Sequence, residues 1–163
     1  MRKQKGFSLI ELLIVVAIIL IIAAIAIPNL LRARMAANES SAVGSIRTLN
    51  TAEVIYNSSY PTVGFASSLA QLGGPAGVAC VATSAQSCLI DSVLTAGVKS
   101  GYTFGAGVTA ATTPQVTYFV FGNPTAPNKT GVRSFCSFED AVVRATTVAT
   151  VLAACPVTTG PLS

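Results

Sequence analysis

The sequence contains no histidine and no tryptophan, and only 10% of its 163 residues are charged. An ordinary soluble domain carries roughly 25% charged residues, so a simple cytosolic globule and a charge-rich disordered chain are both excluded. Without histidine the most common general base and the most common metal ligand are missing, and Ser-His-Asp catalysis is ruled out. A paired-carboxylate hydrolase has poor support. Glu139 and Asp140 are adjacent, would face opposite ways on a strand, and read better as turn residues. Glycine-rich stretches such as Gly101 to Gly107 lack a phosphate-binding lysine and a strand–loop–helix setting. No catalytic residue and no cofactor is expected. Apolar residues, by contrast, make up 52% of the chain and mean hydropathy is +0.66. On length the chain holds one domain plus an appendage, and the placement of its apolar residues decides the class.

The amino end has three parts. Met1 to Gly6 carries Arg2, Lys3 and Lys5 and no acid. Phe7 to Leu31 is interrupted only by Ser8, Glu11, Pro28 and Asn29, and Leu12 to Ile27 is unbroken. These 25 residues span roughly 37 Å as a helix, enough for a bilayer core of about 30 Å. Arg32 and Arg34 follow at once. The run is too long for a secretory signal, and Ala24-Ile25-Ala26, the nearest cleavage-like triplet, lies inside it. The segment reads as a membrane anchor. Arg2, Lys3 and Lys5 point its amino end to the cytoplasm, while Arg32 and Arg34 pull the other way. Glu11 does not fit a plain anchor. A carboxylate deep in a membrane costs about 2.5–3.5 kcal/mol or more, and no basic residue lies three or four positions away. A partner from outside its helix is expected.

Lys5-Gly6-Phe7-Ser8-Leu9-Ile10-Glu11-Leu12-Leu13 resembles the prepilin motif of the type IV filament superfamily, which includes type IV pilins and the pseudopilins of type II secretion systems. Pro28, twenty-one residues after Phe7, and Asn29 to Arg34 also match the pilin pattern. The resemblance implies that a prepilin peptidase cuts between Gly6 and Phe7 and methylates the new amino group. Glu11 of one subunit would then neutralise the Phe7 amine of a neighbour in an apolar filament core, where an unmatched charge is costly. That pairing would fix axial register, as a buried polar group does in a coiled coil.

Past the anchor, Met35, Ala42, Val43, Ile46, Leu49 and Tyr56 recur at helical spacing and mark one apolar face, with Arg32, Arg34, Asn38, Glu39, Ser45, Arg47 and Asn50 placed elsewhere. The helix should run from Phe7 to about Tyr56 and end at Asn57 to Pro61. Pro28 should kink or locally weaken it. Downstream, Leu89 to Lys99 reads as a short helix. Tyr102 to Val108, Val116 to Phe121, Val132 to Phe138 and Ala141 to Arg144 read as strands, punctuated by Gly122-Asn123-Pro124 and Ala126-Pro127-Asn128. The expected fold is α+β, the pilin ladle: a long amino-terminal α-helical spine with a globular antiparallel sheet. Its parts are a leader (1–6), a membrane and filament-core helix half (7–31), an amphipathic half (32–58) and a globular domain (59–163). The Thr/Ala-rich stretches Thr109 to Thr113 and Thr146 to Thr150 read as loops.

Cys80, Cys88, Cys136 and Cys155 all lie beyond the anchor, and four cysteines in an exported domain suggest two disulfides. Sequence proximity favours Cys80–Cys88 and Cys136–Cys155, one of three connectivities. A zinc site competes poorly, with no histidine and no C-x-x-C spacing. A catalytic cysteine lacks a histidine base. The resemblance leaves calcium ligation at Glu139-Asp140 open, since a carboxy-terminal calcium loop is typical of major pseudopilins, but one acidic pair carries little and no metal site is assigned. Asn38-Glu39-Ser40, Asn57-Ser58-Ser59 and Asn128-Lys129-Thr130 match the glycan sequon, a match that is usually accidental in a bacterial-type chain.

The formal charge of +4 falls to +1 in side chains once Arg2, Lys3 and Lys5 are removed, so the basic pI of 9.1 is no nucleic-acid signal. The expected role is structural: a type IV pilin, held in the inner membrane and polymerised into a surface filament for motility or adhesion. Its expected partners are further copies of itself, prepilin peptidase, an inner-membrane assembly platform with its ATPase, and lipid before assembly. The alternative is a type II secretion pseudopilin forming a short periplasmic pseudopilus. An uncleaved single-pass receptor or enzyme is the third class.

Overall fold

The computed structural model describes residues 7–109 and 112–146. Gly6, Cys155 and positions 110–111 and 147–150 of the two Thr/Ala-rich stretches lie outside the described residues. The fold is α+β. The elements are α1 (Leu9–Ser59), α2 (Leu69–Leu72), α3 (Ser92–Thr95), β1 (Val98–Lys99), β2 (Tyr102–Val108), β3 (Tyr118–Pro124), β4 (Ser134–Phe138) and β5 (Arg144–Thr146). The chain divides into two compact units at the Arg34/Met35 boundary.

The first unit is helix. α1 is 51 residues long and continuous through Pro28. The ring leaves the Ala24 carbonyl without its usual amide donor, and the helix continues on both sides. The large aliphatic side chains from Leu9 to Leu31 stand 46–80% exposed. A window of this helix reaches a mean hydropathy of 3.3, long and apolar enough to cross a membrane.

The second unit has the core. From Met35 onward α1 lays Ala42, Ile46, Leu49, Ala52 and Tyr56 against Tyr102, Phe104, Tyr118, Val120 and Phe135 of the sheet. Four of the six residues expected on the apolar face are fully buried, with Val43 and Met35 at its margin. The sheet is a five-stranded antiparallel meander in the order β1-β2-β3-β4-β5. The β2–β3 register runs from Tyr102↔Pro124 to Val108↔Tyr118. Alternation sends Phe119, Phe121, Cys136 and Phe138 to the face away from that core. There the rings of Phe121 and Phe119 lie over Gly105 and Gly107, where an added Cβ would meet ring atoms at 2.3 and 2.6 Å.

Several boundaries differ from the sequence expectation for physical reasons. The helix expected over Leu89 to Lys99 shrinks to α3, because Leu89 and Ile90 donate backbone bonds to the Leu72 carbonyl and Gly97 adopts φ +77°. β3 begins at Tyr118, not Val116, because Gln115 is drawn to Val63 and Phe65. It runs on through Gly122-Asn123-Pro124, where Phe104 covers the space a Cβ would need at Gly122. β5 begins at Arg144 because Asp140 accepts from the Val142 N–H and holds 140–143 as a turn, with Ala141 at φ +56°.

Candidate functional site

At the amino end Phe7 is 77% exposed and precedes the helix. Ser8 occupies the cap position: its carbonyl accepts from the Leu12 N–H at 3.3 Å, and its own N–H donates to Glu11 Oε2 at 2.9 Å. This is the backward half of a capping box, in which a first-turn carboxylate satisfies the cap residue's amide. Its negative charge also suits the positive end of the helix dipole. The Ser8-x-x-Glu11 spacing was the signal for it, and it gives Glu11 a local donor beside the partner expected from another subunit. Glu11 and Arg32 bracket twenty residues without a charge.

In the second unit three residues expected to point outward point inward. Glu39, Ser45 and Asn50 are buried, as is Glu53. Glu39 accepts from the Val132 and Arg133 amides at 2.9 and 3.2 Å and from the Arg133 guanidinium at 2.9 Å. Burial alone would raise its pKa, but these donors outweigh it and hold the carboxyl below its usual range. Asn50 donates to the Ser137 hydroxyl and the Ala141 carbonyl and accepts from the Tyr118 hydroxyl. Glu53 has one donor, the Ala66 N–H at 2.9 Å, and its Oε1 has none. Burial pushes its pKa up to about 8, only partly opposed by that amide. Burial, then the Glu53 charge, raises Tyr56 and Tyr118 as well.

Cys80 and Cys88 form a disulfide with Cα atoms 6.0 Å apart, closing a surface loop that the Tyr56 hydroxyl ties to α1 through the Ser84 carbonyl. Cys136 is disulfide-bonded and lies among Phe119, Phe121 and Phe138. Of the acidic pair, Asp140 is bonded to Arg144 and the Val142 amide. Among the described residues no three His, Cys, Asp or Glu side chains converge on one point.

The family model described as the prokaryotic N-terminal methylation motif matches residues 1–27. That match contains Gly6, Phe7 and Glu11 and stops one residue before Pro28. In its amino-terminal segment the chain is similar to type IV pilins and to type II secretion pseudopilins. Similar proteins include the type IV wide pilus major component PilA4 of Thermus thermophilus, 68% identical over 40 residues, covering 24% of this chain and 30% of that one. The type II secretion system core protein G of Vibrio cholerae is 45% identical over 65 residues, 38% of this chain and 44% of that one. The type IV major pilin protein PilA of Myxococcus xanthus is 49% identical over 51 residues, 31% and 23% of the two chains. The chain thus spans less than half the length of each of these proteins. No solved structure matches it. The pilin-type segment is therefore the shared part, and the sheet and its disulfides are known from this fold alone.

Proposed function

We propose that the protein is a structural subunit of a type IV pilus, processed by a prepilin peptidase, stored in the inner membrane and polymerised into a helical surface filament. The observation that carries this reading is the junction at Gly6-Phe7, followed at Glu11 by a first-turn carboxylate and then by an apolar helix that has no core of its own. Sixteen large aliphatic side chains from Leu9 to Leu31 are unfavourable in water by about 1.5–3 kcal/mol each, so this segment needs lipid before assembly and neighbouring helices after it. In this reading cleavage after Gly6 removes Arg2, Lys3 and Lys5, the Phe7 amine becomes a methylated cation, and Glu11 supplies its counter-charge. Pro28 marks where the helix is free of one backbone bond. An assembly platform and its ATPase would lift the subunit out of the membrane. No catalytic side chain is required of it.

A pseudopilus in type II secretion is the second reading. It is favoured by the extent of similarity to type II secretion system core protein G, 65 residues against 40 for the Thermus pilus component. Shearing filaments from the cell surface and weighing the intact subunit tests both. A surface filament built of a chain starting at methylated Phe7 supports the pilus. Processed chain held in the cell envelope, with no surface filament, supports the pseudopilus. A bulky residue in place of Gly6 should leave a full-length membrane protein and no filament, and normal filaments from that variant would remove the prepilin reading.

A further inference from the structure

From Met35 onward the sequence carries five basic and five acidic side chains. Three pairs are closed within the chain: Glu39–Arg133, Asp91–Lys99 and Asp140–Arg144. Glu53 is fully buried. Lys129, Glu139 and Arg47 are left exposed, and their side chains form no hydrogen bond or ion pair among the described residues.

Two of these three stand at different levels along α1. Lys129 lies in a tight turn whose next residue, Thr130, accepts from Asn38 Nδ2 at 2.8 Å. Glu139 lies in the β4–β5 turn, and Ala141 of that turn accepts from Asn50 Nδ2 at 3.3 Å. Asn38 and Asn50 are twelve residues apart on α1, which separates the two turns by roughly 18 Å along the helix. Arg144, the cation nearest Glu139 in sequence, is committed to Asp140. Arg47 lines a shallow groove with Ala141, on the level of the Glu139 turn and not of Lys129.

We infer that Lys129 and Glu139 are the two complementary faces of a head-to-tail contact between copies of this chain, the Lys129 ammonium of one copy pairing with the Glu139 carboxylate of the next. The two patches differ, so the contact is heterologous, and repetition of one such operator builds an open chain rather than a closed pair. A solvent-exposed ion pair is weak alone and screened within about 10 Å at 0.1 M salt. Its contribution is therefore to order and register, with the apolar helices supplying most of the attraction. The inference rests on the filament reading.

The test is zero-length carbodiimide coupling of intact filaments assembled from mixed isotope-labelled and unlabelled subunits. The reagent takes up the water lost as amine and carboxylate join. At roughly 18 Å the two groups of one chain are out of reach of each other, so a Lys129–Glu139 isopeptide has to join two copies and to carry mixed labels. Coupled products should extend past the dimer. Lys129→Glu and Glu139→Lys should each lower filament yield at low salt by up to about five-fold, and the double reversal should restore it. A missing cross-link, products that stop at the dimer, a double variant no better than the single ones, or a stronger loss from Arg47→Glu than from Lys129→Glu would overturn the contact. Variants that all assemble like the wild type overturn it and leave the filament reading standing. Processed wild-type subunit that forms no filament removes both.

Discussion

The backbone N–H of Ser8 donates to Glu11 Oε2 at 2.9 Å, so the carboxylate inside the apolar segment closes the first turn of its own helix. The proposed filament role would add a second job to this helix cap, that of counter-charge, and the two separate by substitution. Glu11→Gln keeps an acceptor for Ser8 and loses the charge, whereas Glu11→Ala loses both. We expect both variants to be processed and inserted, because removing a charge from an apolar segment eases insertion. Both should fail to polymerise, because a neighbour's amino terminus is left unmatched. Only Glu11→Ala should speed amide exchange over Leu9 to Leu12, as a cap of about 0.5–2 kcal/mol is lost. The measurement compares subunit in membranes with subunit in sheared filaments. Assembly by Glu11→Gln at the wild-type level would assign the residue to capping alone.

Glu53 makes the second unit's stability fall with rising pH. Its folded pKa of about 8 lies above the ordinary value of 4.5, so the folded state holds a proton that the unfolded state releases first. The stabilisation is fully present below pH 4.5 and is lost as pH rises to about 8. The slope is at most about 1.4 kcal/mol per pH unit. The lowered carboxyls of Glu39, Asp91 and Asp140 act in the opposite sense and only in acid. Thermal unfolding of the full chain in detergent at pH 5 and pH 9 should therefore show a lower Tm at pH 9. Glu53→Gln should flatten that difference, and an unchanged slope in the variant would count against this assignment.

Glu39 clamps α1 to the 131–134 segment through one carboxylate and three donors. Glu39→Ala strands the Val132 and Arg133 amides in a partly buried setting, and a loss of about 1–3 kcal/mol is expected. Arg133→Gln should cost less, since the guanidinium side chain is 43% exposed and Glu39 keeps both amides. Denaturant midpoints of the two variants give the comparison. Equal losses would mean that the ion pair, not the amide pair, carries the clamp.

Cys136 and Cys155 are expected to be bridged in the exported protein, closing a loop of about 20 residues worth roughly 3 kcal/mol in the chain-entropy model. The disulfide between Cys80 and Cys88 leaves them as the two remaining cysteines of the sequence. Non-reducing peptide mapping should recover the two linked peptides, and alkylation of Cys155 without reductant would contradict the pairing.

The sequence by itself determined the parts that rest on local spacing. The apolar run and the 3.6-residue period over Ala42, Ile46, Leu49 and Tyr56 made α1 legible almost to its last turn. Strand β2 has the expected bounds, Tyr102–Val108, and Ser100 and Gly101, both at positive φ, turn the chain into it. The eight-residue spacing of Cys80 and Cys88 marked their bridge. Tertiary structure decided which polar side chains of α1 face inward. Glu53 finds its donor 13 residues away, and Glu39 finds its donors 93 and 94 residues away. A carboxylate is stable in a core only when such amides are brought to it, and no local period records where a distant strand will deliver them. The ends of β3 and β5 were settled in the same way, by Gln115 and Asp140 binding backbone outside the sheet.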